Sequence, residues 1–464
     1  LDTIVIVDSL DEPRFVELQE AFRRELEPIL AERLFALRVN PTLGPLKFND
    51  PRTAVLHLMI YPAEGHREHV IQSPFTCFDW QRSPLWRKAE LRSIYPVFGL
   101  QPHHFISARR GAKDYLRDLT EDVVSYRELD FHGGSVREIV RKRAMTGRDR
   151  HEFAYHVMRF LMQNFLKLVT RENDVPEGEE LLGAYFARFP EGAGEFGFLF
   201  RELGRRKQQS DFKPPMPRLL DQVSSFVTAF EEQFRDEFER RAVRHVVFRH
   251  APTELNELTG EATVFQGRVD PDISAEGTEG LWERIKALTD TARAHGPVRV
   301  YCSQLRRAIG SVNIVRYRLE MRCSDVLTPT YLDGRLIEIN YGLCEGLTVA
   351  EARERHPELF AAWQRGEDAP FPGGERTADV WQRLWDFAQE RWSPGCEPTL
   401  VCTHNVVLRC LVGYLLSVPQ TQWYRLRIPH LAPITVVSTP NFGLFVDLKE
   451  WVEREVFGDF DAGK

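Results

Sequence analysis

The chain has 464 residues, 43% hydrophobic and 28% charged, with a formal net charge of -7. That length accommodates two or three domains, and the negative balance argues against a general nucleic-acid binder. No run of about 18 apolar residues offers a membrane span, no signal peptide is visible, and the seven cysteines form no C-x-x-C pair. They read as reduced thiols of a cytoplasmic protein.

In chain order, Asp2 precedes an apolar strand, Ile4 to Val7. The chain begins at Leu1 and runs straight into this strand, so further residues are expected upstream. Residues 12–35 carry Phe15, Leu18, Phe22, Leu26 and Leu30 at helical spacing, and Ala54 to Tyr61 is a second strong strand. Residues 75–145 read as irregular structure with short helices. The basic segment 125–150, with Gly133, Gly134 and Ser135 inside it, reads as a charged helix with a Gly-rich start. A long helix from His151 places Tyr155, His156 and Arg159 on adjacent turns, where His156 is a hydrogen-bonded core residue or part of a site. Residues 173–216, rich in Gly and Glu and ending in a proline cluster, form a connector. Arg218 to Arg241 is a long helix with Leu219, Val223, Phe226, Phe230, Phe234 and Phe238 on one side.

Beyond it, three apolar strands each run into cationic residues. Val246, Val247 and Phe248 lead into Arg249 and His250. Val298, Val300 and Tyr301 lead through Ser303 to Arg306 and Arg307. Leu400 and Val401 lead to Thr403, His404 and Asn405. In open α/β sheets, ligands bind beyond the carboxyl ends of the strands. Three such ends predict one cationic pocket, and arginine forks suit phosphate. The surrounding strand–helix alternation predicts an α/β fold with a largely parallel sheet.

Residues 244–450 resemble the histidine phosphatase superfamily, with its phosphoglycerate mutase-like fold. The opening motif stands as RHAPTELN, with Ala251 where Gly is usual. The second runs from Ser303 to Ser311, with Gln304 and Ser311 in place of Pro and Thr. The third spans Leu336, Glu338, Gly342, Glu345 and Gly346. A P-G-G-E segment follows at Pro372 to Glu375, and the last motif is Thr403-His404-Asn405, with Asn where Gly is usual. The resemblance implies a three-layer α/β/α domain. It implies a reaction in which His250 attacks phosphorus and forms a phosphohistidine. Arg249, Arg307 and His404 would neutralise the phosphoryl oxygens, and Glu338 would act as acid and then base, with Glu345 as the alternative acid. Thr253, Asn256, Arg268 and Ser303 would contact substrate. This site would need no metal.

The first strand, with Asp2 before it, faintly resembles the end of a DNA polymerase β-like nucleotidyltransferase motif. That implies an α+β core whose carboxylates, Asp2 among them, hold Mg²⁺. The expected organisation is a nucleotidyltransferase-like core over 1–100, a mainly helical subdomain and connector over 101–216, a linking helix over 217–243, the phosphatase domain over 244–450 and a tail over 451–464. The expected function is hydrolysis of a small phosphorylated metabolite, a nucleotide or sugar phosphate, with no nucleic-acid or membrane partner. A phosphomutase and a non-catalytic phospholigand-binding scaffold are the alternatives, and the oligomeric state stays open.

Overall fold

The computed structural model describes residues 2–44, 52–72, 99–106, 108–132, 135–172, 174–208, 216–296, 298–320 and 327–458. The chain divides into two compact units. One comprises Leu1–Trp80, Phe105–Lys167 and Glu172–Glu232. The other comprises Gln81–His104, Leu168–Arg171 and Gln233–Lys464. Among the described residues no helix is long and apolar enough to cross a membrane.

The elements before residue 236 are β1 (Asp2–Val7), α1 (Glu12–Ala31), β2 (Ala36–Asn40), β3 (Thr53–Pro62), α2 (Ala63–Gln72), α3 (Lys113–Glu121), β4 (Val123–His132), β5 (Ser135–Ala144), α4 (Gly147–Thr170), α5 (Gly178–Phe186), α6 (Ala193–Gln208) and α7 (Leu219–Arg235). β1 and β2 both pair in parallel with the central β3. Alternation along β3 sets the two faces. Leu56, Leu58 and Ile60 pack with Phe15, Leu18, Phe22 and Leu26 of α1, while Met59 and Tyr61 join Ile4, Leu43 and Leu129. Asp11 caps α1 through the Arg14 N–H at 2.8 Å. The helix stops at Ala31, short of the expected residue 35, and Leu34 takes a left-handed φ of 61°. Asp2 opens β1 opposite His57; its side chain lies outside the described residues, as do Cys77 and Cys323.

Two expectations are corrected here. Residues 125–144 are not a helix. They belong to β4 and β5, which pair antiparallel from Val123↔Ala144 to His132↔Ser135. The sequence signal was present: Gly-Gly between two runs of alternating apolar and charged residues is a hairpin signature. Cross-strand ion pairs Arg127–Glu138 (2.8 Å) and Arg141–Glu128 (3.1 Å) account for the charge that suggested a solvated helix. The supposed connector 173–216 contains α5 and α6, whose Leu181, Leu182, Tyr185, Leu199, Phe200 and Leu203 are buried. Phe165, Tyr185 and Phe230 form a mutually contacting aromatic trio, with ring centroids 5.8 to 6.3 Å apart. The partly buried His156 stacks on Tyr115 at 5.2 Å, lies 3.6 Å from Glu152, and desolvation pushes its pKa down to about 4.

After a π-helical turn at Asp236–Arg240 come β6 (Val243–Arg249), α8 (Ala275–Glu279), α9 (Trp282–Arg293), β7 (Val298–Cys302), α10 (Arg306–Glu320), β8 (Leu327–Leu332), α11 (Val349–Arg355), α12 (Pro357–Gln364), α13 (Thr377–Arg391), β9 (Thr399–Thr403), α14 (Asn405–Leu415), β10 (Ile434–Thr439), β11 (Gly443–Asp447) and α15 (Glu450–Val456). The single helix expected over 276–295 is split into α8 and α9 around Gly280. The sheet order is β11-β10-β6-β9-β7-β8, with β6, β9, β7 and β8 parallel. Val247, Tyr301 and Val401 face a core shared with α13 and α14. Val246, Phe248, Val300 and Leu400 face the opposite core, with α9 and α10. This is the expected α/β/α layering. Cys302, Cys344, Cys402 and Cys410 are buried as free thiols.

The P-G-G-E segment locks the loop that carries Glu338. Leu343 N–H donates to the Pro372 carbonyl and Glu375 N–H to the Asn340 carbonyl, both at 2.8 Å. A Cβ on Gly374 would come within 2.2 Å of the Asn340 oxygen, whereas one on Gly373 meets nothing within 4 Å and only its φ of +70° resists substitution. Gly374→Ala is therefore expected to cost about 2 kcal/mol or more in chemical unfolding. Gly373→Ala should cost about 1 kcal/mol. Equal costs would mean that the close approach is relieved cheaply.

Candidate active site

The carboxyl ends of β6, β9 and β7 lie side by side, with Arg249 opposite Thr403 and Cys302 opposite Cys402. The sheet bonding continues past them. His250 N–H donates to the Thr403 carbonyl and Ser303 N–H to the Cys402 carbonyl, both at 3.1 Å. The residues just past the three strands, His250, His404 and Ser303, are thereby gathered, and all are buried.

His250 Nδ1 lies 2.6 Å from the Ala251 carbonyl oxygen. A carbonyl only accepts, so Nδ1 carries the proton and Nε2 keeps its lone pair. Its ring lies 5.1 Å from that of His404 and 5.4 Å from that of His430. Ala251 is fully buried and its φ is not positive, so the backbone here does not require Gly. Its N–H donates to Ser311 Oγ at 2.7 Å. Ser311 thus fastens the turn after His250 to the start of α10.

His404 Nε2 and Ser303 Oγ are 2.7 Å apart. Burial, then the nearby Arg307 and Arg249, hold the His404 pKa well below its ordinary value. In this arrangement His404 is a neutral hydrogen-bonding group, not the added cation expected from its position. Burial and the neighbouring His404 and Arg249 likewise keep His250 neutral. Glu338 is buried, and its Oε1 accepts from Ile339 N–H at 3.0 Å and from Val406 N–H, in the first turn of α14, at 3.2 Å. Thr403 Oγ1 donates to the Leu336 carbonyl at 2.6 Å, tying the Glu338 loop to the end of β9.

The two site arginines are held differently. Arg307 is 1% exposed and donates to the Val269 and Gly267 carbonyls at 2.7 and 2.6 Å. Arg249 donates to the Ile428 carbonyl at 2.9 Å, and burial, with Arg409 adding to it, pushes its pKa down to about 9. It stays charged at neutral pH, but at a desolvation cost that a bound anion would offset.

Other expected contacts have structural work. Asn256 Oδ1 accepts from Thr253 N–H at 2.9 Å and lies 3.0 Å from its hydroxyl, so these two side chains shape the turn after the nucleophile. Arg268 is exposed, with its guanidinium 3.8 Å from Glu375. Glu345, the alternative acid, spends its carboxylate on the N–H groups of Arg268, Val269 and Tyr341. Glu375 holds Asn340 N–H and Arg383. The sequence reading missed His430, whose Nδ1 donates to the His250 carbonyl at 2.6 Å, and Arg409, which donates to the Leu426 carbonyl at 2.7 Å. Neither sits in a motif. The signal for His430 was a polar residue in an apolar stretch feeding β10.

A model of the histidine phosphatase superfamily (branch 1) matches residues 246–451. Phosphoserine phosphatase 1 of Hydrogenobacter thermophilus is 29% identical over 189 residues, 39% of this chain and 80% of that one. A 2,3-bisphosphoglycerate-dependent phosphoglycerate mutase of Afipia carboxidovorans is 30% identical over 176 residues, 37% and 79% of the two chains. The solved structure of a mycobacterial glucosyl-3-phosphoglycerate phosphatase aligns with a TM-score of 0.35 at 24% identity, covering 45% of this chain and 98% of that one. The chain spans about half (50%) the length of the mycobacterial curated relatives it also matches.

The neutral buried histidines make stability pH-dependent. His245, beneath the site, is pushed down to about 3 by burial; His250, His404 and His430 are also lowered. Each binds its proton near 6.5 when unfolded but not when folded, so their stabilisation is complete above pH 6.5 and drains as pH falls. The slope is about 1.4 kcal/mol per pH unit for each group. His245→Gln should flatten the slope of unfolding free energy below pH 6.5 by about that amount. An unchanged slope in urea titrations would show that His245 protonates in the folded state.

Proposed function

The chain belongs to the histidine phosphatase superfamily over residues 246–451, and on that premise we propose that it hydrolyses small phosphomonoesters through a phosphohistidine intermediate. The observation that carries the reading is the His250 tautomer. The bond from Nδ1–H to the Ala251 carbonyl leaves Nε2 as a free lone pair among Arg249, Arg307 and His404.

The step balances as follows. His250 Nε2 attacks phosphorus in line, a P–N bond forms and the ester P–O bond breaks. Glu338 gives a proton to the leaving oxygen, and its carboxylate then takes one from the water that attacks the phosphohistidine. Inorganic phosphate leaves, and His250 is neutral again. Arg249 and Arg307 supply fixed positive charge to the phosphoryl oxygens, and His404 with Ser303 supplies hydrogen bonds. The backbone N–H groups of Ile339 and Val406 aim the Glu338 carboxylate. The substrate class is a small phosphorylated metabolite, the class that the relatives' names also describe. Residues 1–245 lie outside the family match; their strand–helix core is compatible with a separate activity, and the motif at Asp2 carries the nucleotidyltransferase-like reading no further than sequence.

Turnover of para-nitrophenyl phosphate without added metal tests this. His250→Ala should abolish it, Glu338→Gln should lower kcat by about a hundredfold or more, and EDTA should change nothing. Turnover surviving in His250→Ala removes His250 as nucleophile. Phosphate exchange between two acceptors without net release would place the chain with the mutases.

A further inference from the structure

Outside the reaction centre, three side chains of one compact unit bring nitrogen and oxygen donors together. His103 and His104 stand in a 3-10 turn, Pro102–Phe105, and Glu453 stands in α15. One donor atom from each lies within 4.8 Å of the other two, and among the described residues no other group of three His, Cys, Asp or Glu side chains meets in this way. The two imidazole rings are 4.3 Å apart between centroids. His104 is buried, and the side chains of His103 and Glu453 are each 16% exposed.

The spacing separates this cluster from a hydrogen-bonded pair. His103 Nε2 and Glu453 Oε2 are 3.8 Å apart, too far for a hydrogen bond. Two ligands that each stand about 2.0–2.2 Å from a zinc ion lie about 3.3–3.6 Å from one another at the tetrahedral angle. Small side-chain shifts bring these two donors to that distance.

The other polar atoms of both side chains are already held. Asp447 Oδ1 lies 2.7 Å from His103 Nδ1 and accepts the His103 backbone N–H at 3.0 Å. A carboxylate behind the imidazole is the usual support of a metal-bound histidine. Glu453 Oε1 accepts from Gln101 Nε2 at 3.1 Å, and the Gln101 amide oxygen accepts from Leu448 N–H at 3.1 Å. Nε2 of His103 and Oε2 of Glu453 are thereby left to face each other. His104 is the donor that must change. Its Nδ1 accepts the Gln101 N–H at 3.0 Å, so in that form Nε2 carries the proton. Binding through Nε2 moves the proton to Nδ1 and gives up one backbone hydrogen bond, a small loss beside a metal–imidazole bond.

We propose that His103, His104 and Glu453 bind one divalent ion of the zinc class, with water in the fourth position and with Asp447 and Gln101 as supports. Two imidazoles and one carboxylate suit Zn²⁺ and its first-row neighbours, whereas Mg²⁺ and Ca²⁺ call for oxygen ligands. The ion ties the turn at 102–105 to α15, joining segments already bridged by Gln101 and Glu453 across 352 residues of sequence. It takes no part in the phosphatase chemistry and stands whether or not that reading does.

The test titrates the whole chain, stripped with EDTA and then freed of chelator, with Zn²⁺ against a chromophoric competitor. Wild type should bind one Zn²⁺ and unfold at a higher temperature with it, and Co²⁺ in its place should show the visible absorption of a four-coordinate ion. Asp447→Asn should weaken binding by about tenfold, and Glu453→Gln and His103→Asn by more than that. His356→Asn, outside the cluster, should change nothing. A wild type that binds neither Zn²⁺ nor Co²⁺ overturns the proposal. So does binding that Glu453→Gln and His103→Asn leave intact, which would put the ion on the histidines of the reaction centre or elsewhere. If those variants do not fold, carbethoxylation of wild-type His103 by diethyl pyrocarbonate decides, read by peptide mass spectrometry. Zn²⁺ should slow it, and equal rates with and without Zn²⁺ remove the site.

Discussion

His250 N–H reaches the Thr403 carbonyl because β6 and β9 are parallel neighbours in register, and that one continuation of the sheet positions the rest of the site. It sets His250 beside His404. The matching bond from Ser303 to Cys402 brings β7 to the same line. A one-residue slip in either pairing would send these side chains to the other face of the sheet. The alternating cores above and below, with Val247 and Val401 on one side and Phe248 and Cys402 on the other, oppose such a slip. Core packing and catalytic geometry are thus two readings of one register.

The site is also where the fold carries its electrostatic load. Arg307 is almost fully buried, Arg249 is costly to keep charged, and the histidines are neutral by desolvation. The chain meets this with backbone partners. Carbonyls at 267, 269 and 428 take the guanidinium N–H groups, and backbone N–H groups take the carboxylates of Glu338, Glu345 and Glu375. Peptide dipoles satisfy these charges without cancelling them, so the arginines keep positive charge for a phosphoryl group.

What the sequence disclosed followed from periodicity and from position at strand ends. Three apolar runs ending in Arg or His were enough to expect one cationic pocket, since parallel strands align their carboxyl ends. The same reasoning failed where residues act through partners distant in sequence. Thr253, which the resemblance implied as a substrate contact together with Asn256, also bonds Gln266 thirteen residues on. His430 and Arg409 belong to no motif, and they matter because the segment 426–430 folds back beside β6. The hairpin was misread because charge was weighed above alternation, and the helices of 178–208 because glycine and glutamate masked their leucine and phenylalanine spacing.

The segment 426–430 has a further property. Its carbonyls at 426, 428 and 430 are gripped by arginines that belong to other elements, while its own Leu426 and Ile428 are buried in the core and His430 bonds the His250 carbonyl. Of its five side chains only that of Arg427 is exposed, so that one position can change while the strap stays in place. The strap is a fixed rail with one exchangeable fitting, and a change at Arg427 can alter the charge beside the site without moving the nucleophile.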